Sequence, residues 1–103
     1  MRFIIIKTTF AKKKEAEEVS NKIISNKLGA CVQISKIESY YKWNNKIEKS
    51  DEYKVEIKTT NKNYKKIEEI IVKNHKYEIP EIIVHNLPNG SKRYLNWLKN
   101  EVI

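Results

Sequence analysis

A single cysteine, Cys31, excludes an internal disulfide and removes the usual sequence sign of an oxidising compartment. Glycine is almost as scarce. Only Gly29 and Gly90 occur, so no phosphate-cradling glycine loop is available, and neither a Ser-centred nucleophile elbow nor a paired-cysteine metal knot appears. Long apolar runs are missing as well. The run Phe3-Ile4-Ile5-Ile6 is far too short for a signal peptide or a membrane span, which leads us to expect a soluble, cytoplasmic protein without a membrane partner. Linkers, internal repeats and low-complexity tracts are absent, so residues 1–103 are expected to form one domain around one core.

Lysine is abundant. The formal charge is +8, with residues 1–30 carrying +4, residues 31–60 +1 and residues 61–103 +3. An excess spread this evenly is the signature of a solvated basic surface rather than of a patch built for a polyanion. The lysines Lys12 to Lys14 at the opening of a helical stretch are read the same way, as a solvated turn.

The most informative stretch is 31–60. Ile37, Ser39, Tyr41 and Trp43 alternate with Glu38 and Lys42, and Tyr53, Val55 and Ile57 with Lys54, Glu56 and Lys58, the period of half-buried strands. Asn44-Asn45 between the two runs suits a two-residue turn, because Asn tolerates positive backbone angles. Arms of this length extend about 40 Å at the rise of a strand, far longer than strands of a small domain. Roughly half of such a hairpin overhangs its own domain. Its rings Tyr40, Tyr41, Trp43 and Tyr53 then call for a partner surface, most simply a second copy of the chain. The apolar phase switches from even positions (Val32, Ile34) to odd ones (Ile37, Tyr41, Trp43) across Ser35-Lys36, which predicts a β-bulge there.

Around the hairpin, 3–8 reads as a central strand covered on both faces. Residues 12–28 read as a helix with Ala16, Val19, Ile23, Ile24 and Leu28 inward and Gly29 just past its end. Residues 62–74 read as a second helix capped by Thr60 or Asn61, with Tyr64, Ile67, Ile70 and Ile71 inward. Residues 75–80 are a loop stiffened by Pro80, residues 81–85 a buried strand, and Ser91 caps a last helix that runs to about Lys99, its apolar side Tyr94, Leu95 and Leu98 with Trp97 beside it. The fold class expected is α+β: a ferredoxin-like βαββαβ sandwich with a long hairpin between its second and third strands and an extra C-terminal helix.

Candidate chemistry is thin. Cys31 follows Ala30 at the start of a strand and reads first as a small buried hydrophobe, second as a metal or redox group. His85 reads as packed within its strand. The tract His75 to Glu81 gathers a histidine, Tyr77, Glu78 and Glu81 on a loop between a helix and a strand, where binding sites are commonly carried. A thiolate with imidazole nitrogen favours copper or zinc.

Five runs, in this order and spacing, carry a resemblance: Ala30-Cys31-Val32-Gln33-Ile34; Ser39-Tyr40-Tyr41-Lys42-Trp43 followed by Ile47-Glu48 and Glu52; Lys58-Thr59; His75-Lys76-Tyr77-Glu78-Ile79-Pro80-Glu81; and Tyr94-Leu95-Asn96-Trp97-Leu98. Together they resemble the CutA family of divalent cation tolerance proteins over essentially the whole chain. The chain departs from the family pattern at Asn45, where glycine is usual, at Lys76, where proline is general, and at Phe10, where proline is common. The resemblance implies a homotrimer with PII-like architecture whose hairpins reach onto neighbouring subunits. It also implies tolerance of divalent cations, with copper binding in some members, and no required cofactor. Carried over, Cys31, His75 and Glu81 become the metal candidates, with Tyr41, Trp43, Lys58, Tyr77, Glu78 and Trp97 at the pocket or interface.

The reading reached is a non-enzymatic, cytoplasmic homotrimer that binds copper, another divalent cation or a small ligand in clefts between subunits. The alternative is a basic nucleic-acid-binding ferredoxin-like module, disfavoured because the Lys/Arg-Gly-Phe/Tyr pattern of RNA-recognition strands is missing before Thr59. An enzyme acting through His75, Tyr77 and Glu81 is a third reading.

Overall fold

A computed structural model describes residues 2–103. Strand β1 (Phe3–Phe10) leads into helix α1 (Lys13–Ser25), the hairpin arms β2 (Cys31–Trp43) and β3 (Lys46–Thr60), helix α2 (Tyr64–Asn74), strand β4 (Ile82–Leu87) and helix α3 (Lys92–Glu101). The sheet order is β2-β3-β1-β4 with every neighbour antiparallel, the ferredoxin-like arrangement expected.

Alternation in the strands determines which residues meet the helices. Ile4, Ile6 and Phe10 of β1 and Val55 and Ile57 of β3 point to one face and are buried. Against them α1 presents Ala16, Val19 and Ile23, and α2 presents Ile67 and Ile71, in each case the stripe that helical spacing predicts. Ile24 was expected inward as well but is 43% exposed: it lies off the stripe set by Ala16, Val19 and Ile23.

Helix α1 ends three residues earlier than Leu28. The stop is a Schellman motif in which the amide of Lys27 donates to Ile24 O (3.0 Å) and that of Leu28 to Ile23 O (3.0 Å), with Lys27 itself at φ 56°. Leu28 then folds back into the core. Gly29 has another role than the one expected of it: a Cβ there would stand 2.7 Å from Ile23 Cγ2 and 2.9 Å from Ile57 Cγ2. It lets the chain pass close over the core.

Three further expectations are corrected. No bulge occurs at Ser35-Lys36, because β2 and β3 pair in one unbroken register from Cys31↔Lys58 to Trp43↔Lys46. The switch in apolar phase has a different cause: Val32 and Ile34 face the helices, whereas Ile37, Tyr41 and Trp43 lie on the opposite face, beyond the reach of α1 and α2. Strand β4 is not buried. It is an edge strand, with Ile83 45% and Val84 43% exposed and His85 exposed rather than packed. Strand β1 is central, but only its helix-side face is fully covered.

The hairpin overhangs as expected. Strand β1 pairs with β3 only from Tyr53 to Thr60, so from Ile37↔Glu52 outward the two arms pair with each other alone, and the molecule is drawn out to 45 × 25 × 21 Å. At its tip Asn44 and Asn45 both have positive φ, 53° and 63°, as a type I′ turn requires. Helix α3 sits by β3 with Ser91 Oγ accepting from the Tyr94 amide (3.2 Å), and the chain end is tied down where Ile103 donates to Lys27 O (2.9 Å) and accepts from Asn63 Nδ2 (3.0 Å).

Candidate functional site

A cleft of about 680 Å³ lies where the overhanging hairpin leaves the sheet. Its walls are the hairpin residues Ser39, Tyr40, Tyr41, Trp43, Glu48 and Glu52, the end of β1 at Thr9, and the loop residues Lys76 to Ile79 with Glu81.

The loop that closes it is held by side-chain contacts to β1, α1 and β3. His75 stacks on Phe10 with ring centroids 4.5 Å apart. Its Nε2 lies 2.6 Å from Thr9 O, and its Nδ1 accepts the Tyr77 amide at 3.2 Å. Because an amide can only donate, Nδ1 carries no proton and Nε2 must donate to the carbonyl. Both ring nitrogens are therefore committed to the backbone. Lys76 reaches back to Glu15 of α1 (Nζ to Oε2 3.4 Å), whose other oxygen accepts the Lys12 amide at the helix start (3.3 Å). These contacts aim Tyr77 across the sheet end, where its hydroxyl donates to Glu52 Oε2 at 2.8 Å.

Glu52 is only 7% exposed, a carboxylate covered by the Tyr77 ring and by Thr9, itself 3% exposed. Burial pushes the Tyr77 hydroxyl well above its ordinary value near 10, and the Glu52 carboxylate adds to the shift by hydrogen bonding and by repulsion, with smaller contributions from Tyr41 and Glu15. Tyr77 therefore stays a neutral donor. Across the cleft Tyr41 Oη and Ser50 Oγ are 2.8 Å apart, which steadies that ring beside Trp43, 42% exposed.

The residues expected at the site fall into two groups. Tyr41, Trp43, Tyr77, Glu78 and Glu81 line the cleft, and His75 supports it from behind. Cys31 and Lys58 are cross-strand partners at the other end of the sheet, six residues from Glu52 along β3 and so about 20 Å away. Lys58 Nζ lies 5.6 Å from the Tyr94 ring, which in turn packs on Trp97 at 5.5 Å. Within one chain Cys31 is thus remote from His75 and Glu81, and no three His, Cys, Asp or Glu side chains among the described residues converge as metal ligands. Cys31 is half-exposed on the face away from α1 and α2, not a buried hydrophobe. Glu52, Glu15 and Thr9 had not been singled out. For Glu52 the signal was present, since it falls in the recognised run after Ile47-Glu48, but its burial depends on a loop distant in sequence.

Comparison with known proteins agrees with this architecture. The family model described as "CutA1 divalent ion tolerance protein" matches residues 4–101. The chain is 36% identical over 98 residues to "Protein CutA, chloroplastic" of Arabidopsis thaliana, covering 94% of this chain and 54% of that one. It is 36% identical over 95 residues to the "Probable divalent-cation tolerance protein cutA homolog" of Encephalitozoon cuniculi, covering 92% and 83%. It thus spans about half the length of the plant relative and most of the other. The crystal structure of CutA1 from Oryza sativa superposes with a TM-score of 0.95 at 35% identity, over 100% of this chain and 95% of that one. With matched residues running from β1 to the end of α3, the chain belongs to the CutA1 divalent ion tolerance family.

Proposed function

We propose that the protein is a non-enzymatic homotrimer that binds divalent metal ions, copper foremost, or a small ligand in clefts at the subunit boundaries. The observation that carries this reading is the overhanging hairpin. From Ile37↔Glu52 to Trp43↔Lys46 it has no sheet of its own to pack on, and it exposes Tyr40 (69%), Tyr41 (44%), Trp43 (42%) and Ile47 (76%). Apolar rings on a two-stranded ribbon are unfavourable in water, and a neighbouring subunit is the simplest cover. The family name supplies the class of ligand. We place the protein in the cytoplasm; no helix among the described residues is long and apolar enough to cross a membrane.

Cys31, His75 and Glu81 remain the proposed metal ligands. A site that uses Cys31 with the other two needs residues from more than one subunit, and His75 must give up its bond to the Tyr77 amide to ligate through Nδ1. Light scattering across protein concentration, with and without copper(II), tests the assembly and the binding together. A mass of three chains independent of concentration is expected, as is a Cys31→Ser variant that keeps this mass and binds copper more weakly. A monomer removes the intersubunit reading, and equal copper binding by both proteins removes Cys31 from the site.

A further inference from the structure

The turn between β4 and α3 holds the only asparagine that is followed by glycine, Asn89-Gly90, and both residues are exposed. The other asparagines lack one or more of the features that meet here. Asn26, Asn61, Asn63 and Asn74 have side chains engaged with Lys22 O, the Arg2 amide, Ile103 O and Ile70 O, and Asn44 and Asn45 at the hairpin tip precede residues that carry a Cβ. The Asn89 carboxamide makes no hydrogen bond among the described residues. Neither does the Gly90 amide, which lies outside every helix and strand. A free carboxamide next to an unbonded amide nitrogen is within reach of closing a five-membered ring, and glycine puts no Cβ in the way. We infer that Asn89 is a site of spontaneous modification, at which the chain converts itself to aspartyl and isoaspartyl forms.

The steps balance with water alone. The Gly90 nitrogen, its proton passed to solvent base, attacks Asn89 Cγ; the new N–Cγ bond closes a succinimide, and the Cγ–Nδ2 bond breaks to release ammonia, which carries away a proton. Water then adds to either carbonyl of the ring. Opening at Cγ restores the normal main chain with an aspartyl side chain, whereas opening at the main-chain carbonyl leaves the chain running through Cγ, longer by a methylene. Nothing is oxidised or reduced.

The place of the turn in the fold gives the two products opposite effects. Position 89 lies two residues before Ser91, whose Oγ caps α3 by accepting from the Tyr94 amide (3.2 Å), so an aspartyl side chain brings negative charge to the favourable end of that helix. The isoaspartyl form shifts the chain that follows. Gly90 sits tightly over Leu95, where an added Cβ would stand 3.3 Å from its side-chain atoms, and a longer main chain cannot keep both that packing and the Ser91 cap. Helix α3, which buries Leu98 fully and sets Tyr94 by Lys58, then frays from its first turn. None of this depends on the reading of the cleft.

Incubation of the full chain, in whatever assembly it forms, at physiological temperature and mildly alkaline pH, followed by peptide mass mapping, tests the inference. The peptide containing position 89 is expected to gain the mass difference between an amide and an acid and to split into two products, at least about tenfold faster than any other asparagine converts. Asn89→Gln, which would need a larger ring, should abolish the conversion and leave the assembly mass unchanged. Hydrogen exchange on the separated products should be about tenfold faster in the first turn of α3 for the isoaspartyl form and unchanged in β1 and β3, with Asn89→Asp showing no loosening. An unmodified position 89 after a time that converts it in the urea-unfolded chain overturns the inference, because the folded turn then shields it. Conversion of Asn44 or Asn45 at the same rate overturns the selectivity assigned to Asn89-Gly90, and equal exchange of α3 in both products overturns the effect on the helix.

Discussion

At the scale of the residue, the contact between Tyr77 and Glu52 organises the candidate site. A buried carboxylate with one hydrogen bond depends on that bond, and the phenol in turn is held neutral by burial and by the adjacent negative charge. A raised pKa on an acid has a definite consequence for stability. Below the tyrosine's ordinary value near 10 the phenol is protonated in both folded and unfolded chains, and the stabilisation is complete. As the pH rises above that value, the unfolded chain loses its proton first and the folded state weakens. Urea unfolding followed from neutral pH into the alkaline range should show this decline, and Tyr77→Phe should flatten it. At neutral pH the same variant should cost about 1–3 kcal/mol, because the Glu52 carboxylate loses its only hydrogen bond among the described residues. An alkaline limb unchanged by the substitution would place the titration elsewhere.

At the scale of the element, the end of α1 shows how two adjacent demands are met by different residues. The left-handed position belongs to Lys27 and the close approach to Gly29. A left-handed conformation costs a residue with a Cβ about 1–2 kcal/mol, so Lys27→Gly should stabilise the protein by roughly 1 kcal/mol. Gly29→Ala should do the opposite by about 1–3 kcal/mol, since Ile23 and Ile57 are both fully buried and have little room to give. The denaturation midpoints of the two variants should move in opposite directions; a common direction would contradict the separation of roles. The hairpin teaches a related lesson. Its change of apolar phase at Ser35-Lys36 looked like an inserted residue, but the register is continuous and the change records which face is covered. Alternation reports burial, and burial moves from one face to the other where the helices end and the overhang begins.

At the scale of the whole molecule, the overhang is the feature that most needs a second chain. If the rings at its end are buried between subunits, Trp43→Ala should weaken assembly by about 2–4 kcal/mol while leaving the thermal stability of the monomer core nearly intact. Trp43 belongs neither to that core nor to the half-buried side chains packed against it. Sedimentation at decreasing concentration would reveal dissociation of the variant where the parent chain stays assembled. An unchanged mass at the lowest concentration would take Trp43 out of the interface.

What the sequence by itself determined is local. Periodicity located the strands and helices, Asn44-Asn45 announced the turn, and the apolar stripes of α1 and α2 named most of the core, because each depends on neighbours within a turn or a pleat. Five short runs in register were enough to indicate the family. Only the tertiary structure decided the rest. It separated Cys31 from His75 by most of the sheet, engaged both nitrogens of His75 with the backbone, exposed His85 on an edge strand and buried Glu52 beneath Tyr77. Each of these depends on which segment lies across another, and Glu52 and Tyr77 are 25 residues apart in the chain. Patterns of neighbouring residues record how a segment folds; desolvation and hydrogen bonding across the fold, as between Tyr77 and Glu52, arise only when distant segments meet.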